Sequence, residues 1–242
     1  FRFVSVSNRS TESHVNFRSE KWRTPFIKMS ELTFKVIIIG DATVGKTSFV
    51  QRYVNSHPRR DYKPTVGVDF ALKVIKLSED TTVRLQLWDI AGQERFTSMT
   101  RVYYKGAAAC VIMFDLTSQH TFNSTVKWKK DLDRKCTLPN GNTIPCILVG
   151  NKSDLATRPV EKDIIEKMCR ENGFLGWTEM SVKEDINVTE TMNYLLQELL
   201  DNYSEENGGL SQSHKTGTDQ GGFIELTSHK TPKENVKSGC CS

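Results

Sequence analysis

Nowhere in this 242-residue chain do apolar residues run on for the roughly 18–20 positions that crossing a bilayer needs. An excess of one charge is missing too. The 33 Lys and Arg stand against 29 Asp and Glu, and the formal +4 is too small and too scattered to argue for nucleic acid. Cysteine is sparse, and Cys110, Cys136, Cys146 and Cys169 are dispersed without metal-ligand spacing. Their pattern predicts reduced thiols of a cytosolic protein rather than a disulfide framework. Cys240 and Cys241 are different, side by side at the C-terminal end where no core can hold them. With 37% hydrophobic and 26% charged residues, the composition is that of a soluble protein, one domain flanked by tails.

The tails are read from composition. Residues 1–31 form an Arg- and Ser-rich, acid-poor leader. A transit peptide has that composition. Met29-Ser30-Glu31 would make an ordinary start just before the first strand, so the leader reads better as translated upstream sequence or a disordered extension. Residues 32–203 alternate strand and helix patterns. Residues 204–242 are dominated by Gly, Ser, Thr, Gln and Asn and predict a flexible tail.

Within the central segment, Phe34–Ile39 reads as a buried strand and Ser48–Val54 as a helix. Val68–Leu77 and Val83–Asp89 read as a hairpin about a polar turn. Ala108–Asp115 and Pro145–Gly150 are near-continuous apolar runs, as expected of strands buried on both faces. Phe122–Lys135 and Pro159–Asn172 predict helices, the second stopped by Gly173. Val188, Met192, Leu195, Leu196 and Leu199 recur at helical spacing and predict a core stripe. This alternation predicts an α/β fold, a doubly wound, mostly parallel sheet with ligands at the carboxyl ends of its strands.

Between the first strand and its helix stands Gly40-Asp41-Ala42-Thr43-Val44-Gly45-Lys46-Thr47, which fits G-x-x-x-x-G-K-[ST]. The strand–loop–helix setting turns a short pattern into a phosphate site. Its glycines let the backbone curl so that N–H groups point inward at phosphate oxygens. Asp41, Ala42, Thr43, Val44, Gly45, Lys46, Thr47 and Ser48 are the candidate cradle, with Lys46 a point charge for the β/γ-phosphates and the Thr47 hydroxyl a Mg²⁺ ligand.

Three further segments narrow the reading. Asn151-Lys152-Ser153-Asp154 ends a buried strand. The Asp154 carboxylate can accept from guanine N1–H and N2–H₂, a donor pair adenine does not offer. Lys152 can lie along the base, and Asn151 can tie this loop to the phosphate loop. Asp89-Ile90-Ala91-Gly92-Gln93 ends another strand. There Asp89 can hold Mg²⁺ through water, the Gly92 N–H can bond a γ-phosphate and Gln93 can orient the attacking water. Thr65, on a loop, can reach the same ion.

In that order the segments resemble the small GTPases of the P-loop NTPase fold, and within them the Rab family. The resemblance covers about Leu32–Asn202 and the terminal cysteines. It is carried by Val66-Gly67-Val68-Asp69-Phe70, Arg84-Leu85-Gln86-Leu87-Trp88, Ala91-Gly92-Gln93-Glu94-Arg95-Phe96 and Tyr103-Tyr104-Lys105-Gly106-Ala107. Asp89-Ile90-Ala91-Gly92, Leu138-Pro139-Asn140-Gly141 and Gly173-Phe174-Leu175-Gly176-Trp177 are similar to the branch serving the trans-Golgi network and lysosome-related organelles.

The resemblance implies a monomeric GTP hydrolase, with Mg²⁺ as cofactor held by Thr47, Thr65 and Asp89, and Gln93 as the catalytic residue. It adds Ser181, Val182 and Lys183 to the guanine site, with the Val182 N–H on the guanine oxygen. It implies an effector surface of Phe70, Trp88 and Tyr103. Its partners would be an exchange factor, a GTPase-activating protein, a dissociation inhibitor, a prenylation escort protein and effectors in vesicle traffic. Ser238-Gly239-Cys240-Cys241-Ser242 resembles a double-prenylation signal, and two lipid chains anchor where one is marginal. That implies the cytoplasmic face of Golgi, endosomal or lysosome-related membranes, with a soluble cytosolic pool. Phe223-Ile224-Glu225-Leu226 resembles the tail motif gripped by the prenylation machinery.

Two departures stand out. Glu179-Met180-Ser181-Val182-Lys183 replaces the usual Glu-Thr-Ser-Ala-Lys, so a hydroxyl that braces the loop is missing. Ala42 adds bulk where the hydrolytic water or a partner must approach. They motivate a second reading, a GTP-binding membrane scaffold with negligible hydrolysis. A third, an ATP-using P-loop kinase, is opposed by Asp154.

Overall fold

Alternating side chains send each central strand into two cores at once. In Glu31–Ile39 (β1), Phe34, Val36 and Ile38 enter one core while Ile37 and Ile39 enter the other. Ala109–Asp115 (β4) and Cys146–Asn151 (β5) divide their residues in the same way and are buried throughout. Such strands must be covered on both faces by helices. Lys46–Asn55 (α1) and Val188–Glu206 (α5) cover the first face, Gln119–Lys135 (α3) and Lys162–Glu171 (α4) the second. The α5 stripe from Val188 to Leu199 lies in the first core, as its spacing predicts.

The computed structural model describes residues 31–55, 64–79, 81–93, 99–206 and 224–225. Its sheet has the order β2-β3-β1-β4-β5-β6-β7, where β2 is Val68–Lys76, β3 is Thr82–Ile90, β6 is Gly176–Glu179 and β7 is Ile224–Glu225. Every neighbouring pair is parallel except β2 with β3, the predicted hairpin, which places Phe70 opposite Trp88. The doubly wound, mostly parallel reading is met. A short helix, Thr100–Tyr104 (α2), sits between β3 and β4. Among the described residues no helix is long and apolar enough to cross a membrane.

Several boundaries differ from the sequence reading. α3 begins at Gln119 rather than Phe122, because extended Ser118 already accepts the Phe122 N–H. α4 begins at Lys162 rather than Pro159, because Val160 is drawn into the core and Glu161 stays extended. Gly173, at φ 65°, takes up the left-handed turn after α4. α5 runs to Glu206, past the expected domain end at Tyr203. Ile224 and Glu225, in the segment read as a flexible tail, pair in parallel with Gly176 and Trp177 of β6. Glu31, read as the end of the N-terminal leader, opens β1, while residues 1–30, Glu94–Phe96, Phe223, Leu226 and both terminal cysteines lie outside the described residues.

Candidate functional site

The carboxyl ends of β1, β3 and β5 meet at one rim of the sheet, and the loops leaving them touch. From β1 the chain turns through Gly40–Gly45 into α1, whose first bond runs from the Phe49 N–H to Gly45 O at 2.9 Å. Gly45 is obligatory here. It holds φ 104°, and a Cβ on it would lie 2.3 Å from Asn151 Nδ2. Lys46 is buried, and its Nζ donates to Gly40 O at 2.9 Å and Asp41 O at 2.8 Å. An ammonium has three protons to give, so one donor is left for a ligand. Burial lowers its pKa to about 8, against the pull of Asp89 and Asp41. A cation desolvated in this way is stabilised by an arriving anion.

Beneath the loop three oxygens converge. The Thr47 hydroxyl donates to Asp89 Oδ2, and Thr65 Oγ1 lies 2.7 Å from Thr47 Oγ1 and 3.3 Å from Asp89 Oδ2. Asp89 is 1% exposed, and its Oδ1 has no hydrogen-bond partner among the described residues. Burial raises the Asp89 carboxyl, an effect that the two threonines and Lys46 oppose. A hard, oxygen-only cluster around a buried, under-bonded carboxylate fits Mg²⁺.

At the other end, Asn151 is buried at the tip of β5. Its Nδ2 donates to Val44 O at 2.8 Å, and its Oδ1 accepts the Val182 N–H at 3.1 Å. The tie to the phosphate loop expected of Asn151 is therefore made, and it extends to the loop after β6. The Val182 N–H meets the Asn151 amide oxygen, so a guanine oxygen would have to share or replace that bond.

Asp154 Oδ1 accepts from Ser181 Oγ at 2.6 Å, with Lys183 Nζ 3.7 Å from Oδ2. The Ser181 bond holds the Asp154 carboxyl below its usual range and keeps it an acceptor. Lys152, at φ 69°, reaches Asp115 Oδ2 at 2.6 Å. Met180 fills the apolar core, and its backbone pairs with Gly150 O and the Ser153 N–H.

Gly92 packs directly on the phosphate loop. A Cβ there would lie 2.2 Å from the Ala42 nitrogen, so only glycine lets the two loops meet. Gln93 and Ala42 are exposed beside this contact. Phe70 and Trp88 stack edge-on at 4.4 Å, and Lys35 Nζ sits 3.4 Å over the Trp88 ring. Trp88 and Tyr103 are half-buried against the second core, while Phe70 is 58% exposed.

Sequence reading missed two supports. Trp128 of α3 donates its indole N–H to Asp41 Oδ1 at 2.8 Å. Arg52 of α1 donates to Val182 O at 3.0 Å and Lys183 O at 2.9 Å. The inward stripe of α3 could have drawn attention to Trp128. Nothing in the spacing marks Arg52, whose acceptors are backbone carbonyls more than a hundred residues away.

Asn151→Ala removes both side-chain bonds and leaves two buried backbone groups unpaired, at about 1–3 kcal/mol each. The variant is expected to release a bound guanine nucleotide at least tenfold faster in a stopped-flow displacement assay. An unchanged rate would show that the tie between the loops does not hold the ligand.

Comparison with known proteins agrees with this geometry. The profile described as Ras family matches residues 35–201. The chain is 52% identical to the Ras-related protein Rab-7L1 of Rattus norvegicus, over 82% of this chain and 94% of that protein. It is 54% identical to Rab-7L1 of Homo sapiens, over 80% of this chain and 92% of that protein. With the Ras-related protein Rab-32 of Homo sapiens it shares 43% identity over 90% of this chain and 93% of that protein. These relationships favour a hydrolysing switch over a nucleotide-holding scaffold. The chain belongs to the Ras family and, within it, to the Rab-type small GTPases, switches of vesicle trafficking that bind GTP and hydrolyse it to GDP.

Proposed function

We propose that the site at the rim of the sheet binds GTP with Mg²⁺ and that its residues act as follows. The backbone from Asp41 to Ser48 and the free Lys46 donor hold the phosphates. Thr47, Thr65 and Asp89 hold Mg²⁺, which would neutralise charge on the β- and γ-phosphate oxygens. The Gly92 N–H contacts the γ-phosphate, and Gln93 orients the attacking water. The observation that carries the reading is the convergence of Thr47, Thr65 and Asp89 oxygens around a buried carboxylate with an unpartnered Oδ1. A protein with no cation to place there would leave Asp89 desolvated for nothing.

Asp154 reads the base. Ser181 and Lys183 occupy part of its acceptor capacity, and a carboxylate has about four lone-pair sites, so room remains for two guanine donors. Ser181, Val182 and Lys183 close over the guanine from the other side, and Lys152 lies along it. Ala42 narrows the approach to the γ-phosphate, and no arginine finger is identifiable in the sequence. Unassisted turnover is therefore slow, on the order of 10⁻⁴ per second as in comparable switches. An activating protein completes the site and an exchange factor reopens it.

Beyond the site, Phe70, Trp88 and Tyr103 form the surface that effectors read. On β2, Leu72 and Val74 continue the exposed apolar row of Phe70. A row of that kind on the edge of a sheet marks an interaction site. Cys240 and Cys241 carry two prenyl groups, delivered by an escort protein and removed from the membrane by a dissociation inhibitor. The kinship with Rab proteins supports peripheral association with intracellular membranes, and the proposed destination is Golgi, endosomal or lysosome-related membranes.

Two measurements test this reading. Chelating Mg²⁺ with EDTA is expected to speed release of fluorescent GDP at least tenfold, with GDP bound far more tightly than ADP. A release rate indifferent to EDTA would count against the oxygen cluster as a metal site. Replacing Cys240 and Cys241 together by Ser is expected to leave GTP binding intact and move the protein from membrane pellet to supernatant. Persistence in the pellet would remove the lipid anchor from the account.

A further inference from the structure

We infer that Arg52 is the residue that positions the base-binding loop in this chain, a role that rests on the guanine reading of Asp154 and Val182 above. α1 grips the phosphates at its first turn, through Lys46 and Thr47. One and a half turns further on, Arg52 reaches across to the loop that follows β6. Its Nε donates to Val182 O at 3.0 Å and its Nη2 to Lys183 O at 2.9 Å. A planar guanidinium presents two parallel donors in a fixed fork to two successive carbonyls, pre-organised as an ammonium on a flexible stem is not.

Those two bonds act on the carbonyls at the turn of a loop whose ends are closed by the Ser181–Ile186 bridge. Its Ser181 hydroxyl faces Asp154 and accepts the Glu184 N–H at 3.1 Å, and its Val182 N–H faces Asn151. The carbonyls of Val182 and Lys183 lie on the peptides that follow, and Arg52 is their partner. A trans peptide points its N–H opposite its carbonyl. Fixing those carbonyls therefore fixes where the Lys183 and Glu184 N–H groups aim.

Residue 180 cannot share the task, because Met180 has no hydroxyl and lies wholly in the apolar core. The polar partner of these two carbonyls comes from α1, the same helix that opens on the phosphates. Phosphate end and base end are thus joined twice, through Asn151 and through Arg52.

The test compares Arg52→Gln and Arg52→Lys with wild type in the full chain with Mg²⁺. The ligands are GDP, ADP and the diphosphate of 2-aminopurine riboside, which lacks both the guanine oxygen that the Val182 and Lys183 N–H groups face and the N1–H that faces Asp154. Arg52→Gln is expected to release GDP about tenfold faster, and to narrow the preference for GDP over the 2-aminopurine diphosphate by a similar factor. Arg52→Lys is expected to recover only part of each. Weakening of both ligands by the same factor, or no change in either, would overturn the positioning role, since a merely structural arginine does not distinguish them. A wild type that does not prefer GDP to ADP would remove the guanine reading itself and the proposal with it. A wild type selective for guanine beside an unaffected Arg52→Gln would remove the proposal alone.

Discussion

One buried amide sets the spacing of the whole site. Asn151 donates to Val44 O in the phosphate loop and accepts from the Val182 N–H in the loop after β6. A carboxamide carries a donor and an acceptor on separate atoms, so one side chain can serve a carbonyl on one side and an N–H on the other. An aspartate there would have nothing to give Val44, and an alanine would meet neither loop. Because Gly45 brings its backbone hard against this amide, the two loops cannot drift without breaking a buried contact. The distance between phosphate seat and base seat is thus a property of the core and not of either loop.

The rest of the rim follows from placing charge where water is scarce. Lys46 loses water and is pulled toward neutrality, and Asp89 loses water and is pushed toward protonation. Each is an expensive resident of a core unless an opposite charge arrives. On the proposed reading a phosphate would answer the first and a divalent cation the second, and together they would offset the cost of that burial. Gly92, pressed on Ala42, ties the end of β3 to the same loop. On the proposed reading, a change at the γ-phosphate would act at once on Gly92 and the neighbouring Gln93.

Much of this was legible in the sequence, for reasons that differ from element to element. β1, β4 and β5 announce themselves because strands buried on both faces need continuous apolar runs. The phosphate loop does so because a tight turn, a lysine and a hydroxyl must fall at set spacings. The junction at Asn151 was legible because a polar side chain at the tip of a buried strand needs partners nearby. β6 was not, since four residues containing Gly176 and Glu179 give no period to read. α2 is only five residues long and ends in half-buried Tyr103 and fully buried Tyr104. Arg52 and Trp128 were hidden for another reason. Their work is done across the fold, on a backbone carbonyl pair and on Asp41, and no local pattern records that.

The central claim is that phosphate loop and base loop form one mechanical unit and that the loops around Thr65 and Gly92 answer separately. Amide hydrogen exchange of the full chain tests it most directly, with GDP, a non-hydrolysable GTP analogue and no nucleotide compared. GDP is expected to slow exchange together at Val44–Ser48, Asn151–Asp154 and Ser181–Lys183. Only the triphosphate analogue should slow it further at Thr65–Gly67 and Gly92–Gln93. Protection of the phosphate loop by GDP with no change at Ser181–Lys183 would contradict the claim.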